Sequence, residues 1–482
     1  MSSGTVQFIA VVVLAALVLP AGLVAGEESI AYPAHVKTDA QKEAWRIGWP
    51  MFHGPNGNGM AIDCGYDLID KVEDMKSVWK SEEIIPPPSY RGVRSSFATP
   101  VMADGRVYIY YTWPNGMTPD VSKISPKQVR ALDTGGSDRT DRSDKAGDDI
   151  VVCMDATTGK TIWKRVFEGQ GETLLGSGKG GGHGTMLVHD DKAYAFGAAG
   201  WVYCLDAETG KTIWAGHKRP TAHSPNATPV IADGVLVYRE GSTLVGYDAN
   251  TGKELWSKGG VVRGIRNASF TRVWKHEGKE YFIHENVCLE AKTGKELWNI
   301  GPVEGGNTTA IYGDYMVCRE ADKRSDNTGP RCYKISPKGA KLLWQFKTDR
   351  GQFLVKGFSS PTFYKGHVIV DLQAPTKGPG GRKATLFAMV ELETGKQVLM
   401  DGHYKNWKYQ PIVADGKYWH LSSPQWGFWI ASVDPDNLKE LSLKKMGSRN
   451  WAQDTSPAYA CGWMFIRTSN RLACFDLRKH KP

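Results

Sequence analysis

Nine residues, Asp155-Ala-Thr-Thr-Gly-Lys-Thr-Ile-Trp163, return along this chain in one frame, and a fixed-period repeat restricts the possible folds more than any other sequence signal. The acid, the glycine and the tryptophan recur at Asp206, Gly210 and Trp214, at Asp248, Gly252 and Trp256, and at Glu290, Gly294 and Trp298. Ser336 to Trp344 keeps the length with Ala340 in the glycine place, and Glu391 to Gly395 keeps the turn with Leu399 where tryptophan would stand. Each unit passes from a short apolar run through a polar Asx-x-x-Thr-Gly-Lys segment into β-branched or aliphatic residues, the pattern of a β-hairpin. Glycine supplies the positive φ of the turn, and the acid and threonine hydroxyl bond its spare amides. One tryptophan after such a turn can be an isolated core residue. Trp163, Trp214, Trp256, Trp298 and Trp344 at one offset need a repeating pocket, which neighbouring copies provide when their sheets pack face to face.

A second motif precedes the hairpins and sets their number. Ala98-Thr-Pro100 with Gly105, Ala227-Thr-Pro229 with Gly234, Ser359-Ser-Pro361 with Gly366, Tyr409-Gln-Pro411 with Gly416 and Thr455-Ser-Pro457 with Gly462 share one spacing. Degenerate copies stand at Gly184-Thr-Met186, Ala268-Ser-Phe270 and Thr308-Thr-Ala310, giving eight units. Most begin roughly 40–50 residues apart, the length of a four-stranded propeller blade. Ser77-Val-Trp79-Lys-Ser reads as a fourth strand without its first three, and the last unit ends after Arg471-Leu-Ala-Cys-Phe-Asp476 without a fourth. The expected fold is therefore all-β: an eight-bladed β-propeller of four-stranded antiparallel blades, its ring closed by residues 76–84, which removes two exposed strand edges.

The domain reading is a secretory signal over residues 1–25, a lead-in over 26–75, and the propeller over 76–482 with an insertion at about 113–148. Phe8 to Ala25 is apolar and ends in small residues, so cleavage is expected near Ala25 or Gly26, although residues 1–25 hold no Lys or Arg and the run is long enough to anchor uncleaved. The first cysteine is Cys64, which argues against a lipid-anchored start, and no later run is long and apolar enough to span a bilayer. The insertion reads as a solvated loop. Of eight cysteines, Cys153, Cys204, Cys288 and Cys474 stand two residues before a unit's acid, a slot for a small buried side chain; Cys318 and Cys332 fall on neighbouring strands, where pairing is left open. No Cys-x-x-Cys is present, so zinc ribbons and c-type haem attachment have no support. The formal charge of +9 is scattered, with no basic run interleaved with aromatics, so nucleic acid is not expected as a partner. Gly178 to Gly184 is glycine-rich, but no helix follows to hold a phosphate.

The Asp-x-x-Thr-Gly-Lys-x-x-Trp units resemble the pyrroloquinoline-quinone-like (PQQ-like) repeat propellers, over roughly residues 76–480. The resemblance implies one of two roles. Quinoprotein alcohol and glucose dehydrogenases of the family oxidise substrates with PQQ and calcium on the axis; other members, such as the propeller subunit of the outer-membrane barrel-assembly machinery, are non-catalytic scaffolds. The residues three before each proline position converge on an axial mouth and read Phe97, His183, Asn226, Asn267, Asn307, Phe358, Lys408 and Asp454. Calcium wants several oxygen ligands with carboxylates among them, and this ring has one acid. A quinone site would use a carboxylate base with Arg or Lys beside the quinone oxygens, a part that only Asp454, Lys408 and Arg266 could fill. The adjacent cysteine pair of the family's soluble alcohol dehydrogenases is missing.

The favoured expectation is a non-catalytic, periplasmic or secreted monomer, without cofactor or metal, that binds an envelope protein or polysaccharide at His183, Asn226, Asn267, Asn307, Lys408 and Asp454. The alternative is a PQQ- and calcium-dependent dehydrogenase of alcohols or sugars. Trp79, Trp163, Trp214, Trp256, Trp298 and Trp344 are expected to dock blade against blade.

Overall fold

The structure is a computed structural model that describes residues 30–85, 93–94, 98–114, 146–172, 174–175, 185–197, 199–217, 229–240, 242–261, 270–301, 309–319, 330–346, 353–354, 360–377, 383–403, 410–421, 428–433, 440–444, 455–468 and 470–480. The signal stretch and the centre of the insertion lie outside them. Within the unit Ala31–Pro482 the described strands form eight antiparallel four-stranded blades. The first blade comprises Val101–Ala103, Arg106–Pro114, Ala146–Asp155 and Thr161–Glu172. Its second and third strands run about two or three residues further into the insertion than the sequence pattern places them, Trp113 pairing with Asp148 and Pro114 with Gly147. The eighth blade consists of Ala458–Ala460, Trp463–Arg467, Leu472–Asp476 and, as its outer strand, Lys76–Lys80. Lys76 pairs with Asp476 and Lys80 with Ala473, so a strand from before the first blade closes the ring. No helix among the described residues is long and apolar enough to cross a membrane.

The repeated turn works through its side chains. Asp155 Oδ1 accepts from the Thr157 and Thr158 amides at 2.9 and 2.8 Å, and Asp206 Oδ1 accepts from the Thr209 amide and hydroxyl, each at 2.7 Å. The threonine hydroxyl then accepts from the lysine amide two residues on, at 3.3 Å from Lys211 to Thr209. Each tryptophan crosses to the next blade. The indole N–H groups of Trp79, Trp163, Trp214, Trp256, Trp298 and Trp344 donate to the carbonyls of Ala156, Ala207, Ala249, Ala291, Ser336 and Leu392, at 2.8 to 3.1 Å. Trp214 and Trp256 are half-buried, the other four buried. The turn glycine lies against the preceding blade's ring: a Cβ on Gly210, where φ is +70°, would stand 2.6 Å from Trp163. The glycine thus meets two demands, one of backbone conformation and one of space.

Apolar cores lie between blades rather than within them, for example Tyr108, Val151 and Trp163 of the first against Ala195, Tyr203 and Leu205 of the second. The cysteines follow this geometry. Cys153, Cys204, Cys288 and Cys474 are buried and directly opposite a tryptophan in register, as is Cys332 opposite Trp344. Cys318 and Cys332 do not pair. Cys332 packs into the core shared with the sixth blade and Cys318 into that shared with the fourth, because neighbouring register positions point to opposite sheet faces. Cys64 and Cys461, also unbridged, meet across the lead-in, and contact with Cys461 together with burial pushes the Cys64 thiol up.

That lead-in makes one complete circuit of the ring. Thr38 and Gln41 form a capping box that starts a helix, Asp39–Ile47 (α1), whose Trp45 stacks edge-on with Trp463 of the eighth blade. Trp49 exchanges both backbone hydrogen bonds with Met102 of the first blade, and Pro50 O accepts from Val188 N of the second. Phe52 stacks on Phe270 at the start of the fourth, and Asn58 donates to Ile311 O of the fifth. Gly59 and Ala61 bracket Val413 of the seventh, and Leu68 bridges to Arg478 beside the eighth. Inner strand edges would otherwise leave N–H and C=O groups unpaired; the circuit supplies partners.

Candidate functional site

The propeller axis is lined by the first strands; that of the first blade touches those of the second and eighth, that of the fourth touches those of the third and fifth, and those of the sixth and seventh touch each other. The middle residue of each first-strand motif forms a collar there. Thr99, Thr185, Thr309, Ser360, Gln410 and Ser456 are all buried, and from Ser360 through Thr99 to Thr185 their bonds run one way round. The Ser360 amide donates to Gln410 Oε1 at 2.9 Å, Gln410 N to Ser456 Oγ at 3.2 Å, Ser456 N to Thr99 Oγ1 at 3.2 Å, and Thr99 N to Thr185 Oγ1 at 3.4 Å. A short side chain with a hydrogen-bond acceptor is what an inward-facing amide on an unpaired edge requires. Thr228 and Ser269, the same position in the third and fourth units, lie outside the described residues. The sequence carries the signal, since all eight copies have Thr, Ser or Gln there, two places after the more varied mouth residues.

Among the described residues, one charge sits inside the collar. Arg272, on the first strand of the fourth blade, reaches across two blades: Nε donates to Thr309 O at 2.9 Å and Nη2 to Ser360 Oγ at 3.3 Å. Its guanidinium lies 5.5 Å from the centre of the Phe270 ring, and the residue as a whole is 4% exposed. Burial alone lowers its pKa to about 10, with no carboxylate pulling the other way. Beneath it the lead-in folds into a compact loop, His53–Gly59, with Gly59 N donating to His53 O at 2.8 Å. His53 Nδ1 is 3.2 Å from Gly57 O; a carbonyl only accepts, so Nδ1 carries the hydrogen and Nε2 is left as a buried acceptor without a partner. Burial, then the Arg272 charge, push the His53 pKa well down, so the ring is neutral.

Nearer the opposite strand ends, ionisable groups lock blade to blade. Asp149 is fully buried and accepts from Tyr110 and Thr112 of its own blade at 2.6 and 2.9 Å and from Tyr203 of the next at 3.1 Å. Burial raises its pKa to about 6 against those hydrogen bonds. Glu83, just after the closing strand, accepts from Tyr111 at 2.8 Å and pairs with Lys164, joining the eighth blade to the first. His284 hydrogen-bonds Thr271 within the fourth blade, and burial takes its pKa down to about 3.

The residues proposed for the mouth, His183, Asn226, Asn267, Asn307, Lys408 and Asp454, with flanking Phe97 and Phe358, lie outside the described residues, as does Arg266; in sequence each mouth residue stands two places before its collar position. Among the described residues no group of three or more His, Cys, Asp or Glu could hold a metal. The described axial set of hydroxyls, one amide and the Arg272 cation does not fit calcium, whose ligands are oxygen atoms with carboxylates among them.

The eight-bladed ring and its blade-docking tryptophans define a PQQ-like repeat propeller. A family model described as "Outer membrane protein assembly factor BamB" matches residues 147–280 and 283–410, more than half of the chain, and the chain belongs to that family. It is also 33% identical over 79 residues to the 1-butanol dehydrogenase (quinone) of Thauera butanivorans, a stretch covering 14% of this chain and only 12% of that enzyme. Among solved structures, the quinohemoprotein alcohol dehydrogenase of Comamonas testosteroni aligns over 92% of this chain and 84% of its own at a TM-score of 0.56 and 12% identity, a likeness of fold alone. BamB from Moraxella catarrhalis aligns over 69% of this chain and 90% of its own, at a TM-score of 0.48 and 13% identity.

Proposed function

We propose that this protein is a non-catalytic binding or assembly scaffold of the cell envelope, exported by its N-terminal signal, which takes a protein or glycan at the mouth bearing His183, Asn226, Asn267, Asn307, Lys408 and Asp454. The observation that carries the reading is the construction of the axis. A hydrogen-bonded collar and the lead-in circuit fill one end of the axis with the chain itself, and this supports placing the partner at the other end, toward which the mouth residues, two places before the collar in sequence, would converge. The description of the matching family, an outer-membrane assembly factor, supports the same role. The test is capture from an extracytoplasmic extract by the parent and by Asn226→Ala/Asn267→Ala/Lys408→Ala, after both are shown to melt alike. Loss of specific partners from the variant is the expected result; an identical set would reject the mouth and direct attention to residues 113–148.

The local likeness to a quinone-dependent butanol dehydrogenase supports a second reading, in which PQQ and calcium bind near Asp454, Lys408 and Arg266. It is tested by adding both to the purified protein with alcohols or sugars and a reducible dye. The scaffold reading expects neither a stoichiometric complex nor dye reduction; turnover abolished by Asp454→Ala would replace it with the enzyme.

A further inference from the structure

We infer that Arg272 and the lead-in form a second, independent site that binds a small carboxylate with an apolar body. A cavity of about 410 Å³ lies between residues 50–61 and the second to fifth blades, within the size range of small-molecule sites. Arg272 lines it together with Met51, Phe52, Phe270, Trp274 and Ile311. A guanidinium has five N–H groups, and among the described residues Arg272 uses two of them, both on neutral oxygens. Gly57 of the lead-in has no side chain to cover Nη1, and a Cβ there would reach van der Waals contact with it, at 3.6 Å. The one acid among the described residues of the wall, Glu280, is already engaged by Lys275 at 2.9 Å and by the Asp233 amide at 2.8 Å.

A cation held nine-tenths buried among neutral partners costs free energy that an anion can recover, and a planar carboxylate matches the guanidinium fork with two parallel hydrogen bonds. The chemistry of the walls narrows the class. Thioether, aromatic and aliphatic side chains favour an apolar tail, and the other basic groups of the wall, Lys275 and His189, already stand beside Glu280 at 2.9 Å and Asp190 at 3.3 Å, so a dianion such as phosphate would bring a second charge without an unengaged cation to pair it. The neutral His53 Nε2 is an acceptor and adds no second cation near Arg272.

The site is tested with the full-length protein and 4-fluorobenzoate, its binding followed by fluorine NMR, beside 4-fluorobenzamide, which has the same body without the charge. The expected result is saturable binding of the benzoate at least about tenfold tighter than the amide, a free-energy difference of about 1.4 kcal/mol. Arg272→Met should abolish that preference. Because it removes a collar contact and can fail to fold, Phe52→Ala, at a half-buried wall position, serves as the second variant and should weaken the benzoate several-fold. Equal affinity for benzoate and benzamide in the parent, or benzoate binding unchanged by Phe52→Ala, would overturn the site. Inorganic phosphate competing as well as the benzoate would overturn the ligand class.

Discussion

Replacing Gly210 with alanine tests the inter-blade joint more sharply than removing a tryptophan, because the structure supplies an internal control. Gly210 and Gly234 have φ of +70° and +74°, and an alanine at either pays about 1–2 kcal/mol for a left-handed backbone. A Cβ on Gly234 meets nothing within 4 Å, whereas one on Gly210 stands 2.6 Å from the Trp163 ring. Trp163 is buried and tied to Ala207 O at 3.1 Å, so it cannot move aside without losing that bond. The overlap should add about 1–3 kcal/mol, the usual cost of overpacking. Gly210→Ala is thus expected to cost about 2–5 kcal/mol and Gly234→Ala only the backbone part. In a Trp163→Ala background, itself costing about 3–5 kcal/mol, the excess at Gly210 should vanish and leave the Gly234 value. Urea unfolding followed by far-UV circular dichroism measures all of these without relying on the mutated fluorophore, provided m is unchanged. Equal costs at the two glycines, or an excess at Gly210 that survives the loss of Trp163, would refute the joint.

Two further outcomes rest on other parts of the ring. The Asp149 pKa is raised to about 6, so between about pH 4 and 6 the folded state holds a proton that the unfolded state releases, and stability falls as pH rises through that window. His35 acts in the opposite sense, with a pKa taken down to about 4 chiefly by burial, so the parent alone gives a mixed profile. The stability difference between the parent and Asp149→Asn isolates the carboxyl: it should shrink by up to about 3 kcal/mol from pH 4 to 7, and a flat difference would show that the carboxyl is not held as described. A chain beginning at residue 73 keeps the closing strand but loses the circuit, and is expected to melt lower yet cooperatively. One beginning at residue 85 also loses Trp79 and should aggregate or show no cooperative transition; melting and size-exclusion profiles like the parent's would sink the closure argument.

The ring was legible in the sequence because its demands repeat. A turn needing φ above zero, an acid to bind its amides and a tryptophan reaching the next blade recur in nearly every unit, and the unmatched strand at Trp79 announced the closure. Requirements met only once leave no such trace. The circuit of residues 31–72 has no period, since it pairs with a different inner edge at each step and binds mostly through backbone groups that any sequence carries. Arg272 was hidden for a related reason: two places after the proline position of the first-strand motif, every other copy carries an apolar or aromatic residue, so no repeat drew notice to a charge there. The collar is the intermediate case, repeated but chemically plain, since Thr and Ser are common on strands and gain meaning only when Ser456, Thr99 and Thr185 are seen to accept the amide of the blade before. Cys332 fits the same rule. Its unit has no acid at the expected place, so spacing suggested Cys318 as its neighbour, whereas register sets it opposite Trp344 in the slot its counterparts occupy. Periodicity thus reveals what every blade must do alike; what distinguishes one blade, and with it one end of the axis, appears only when the ring is closed.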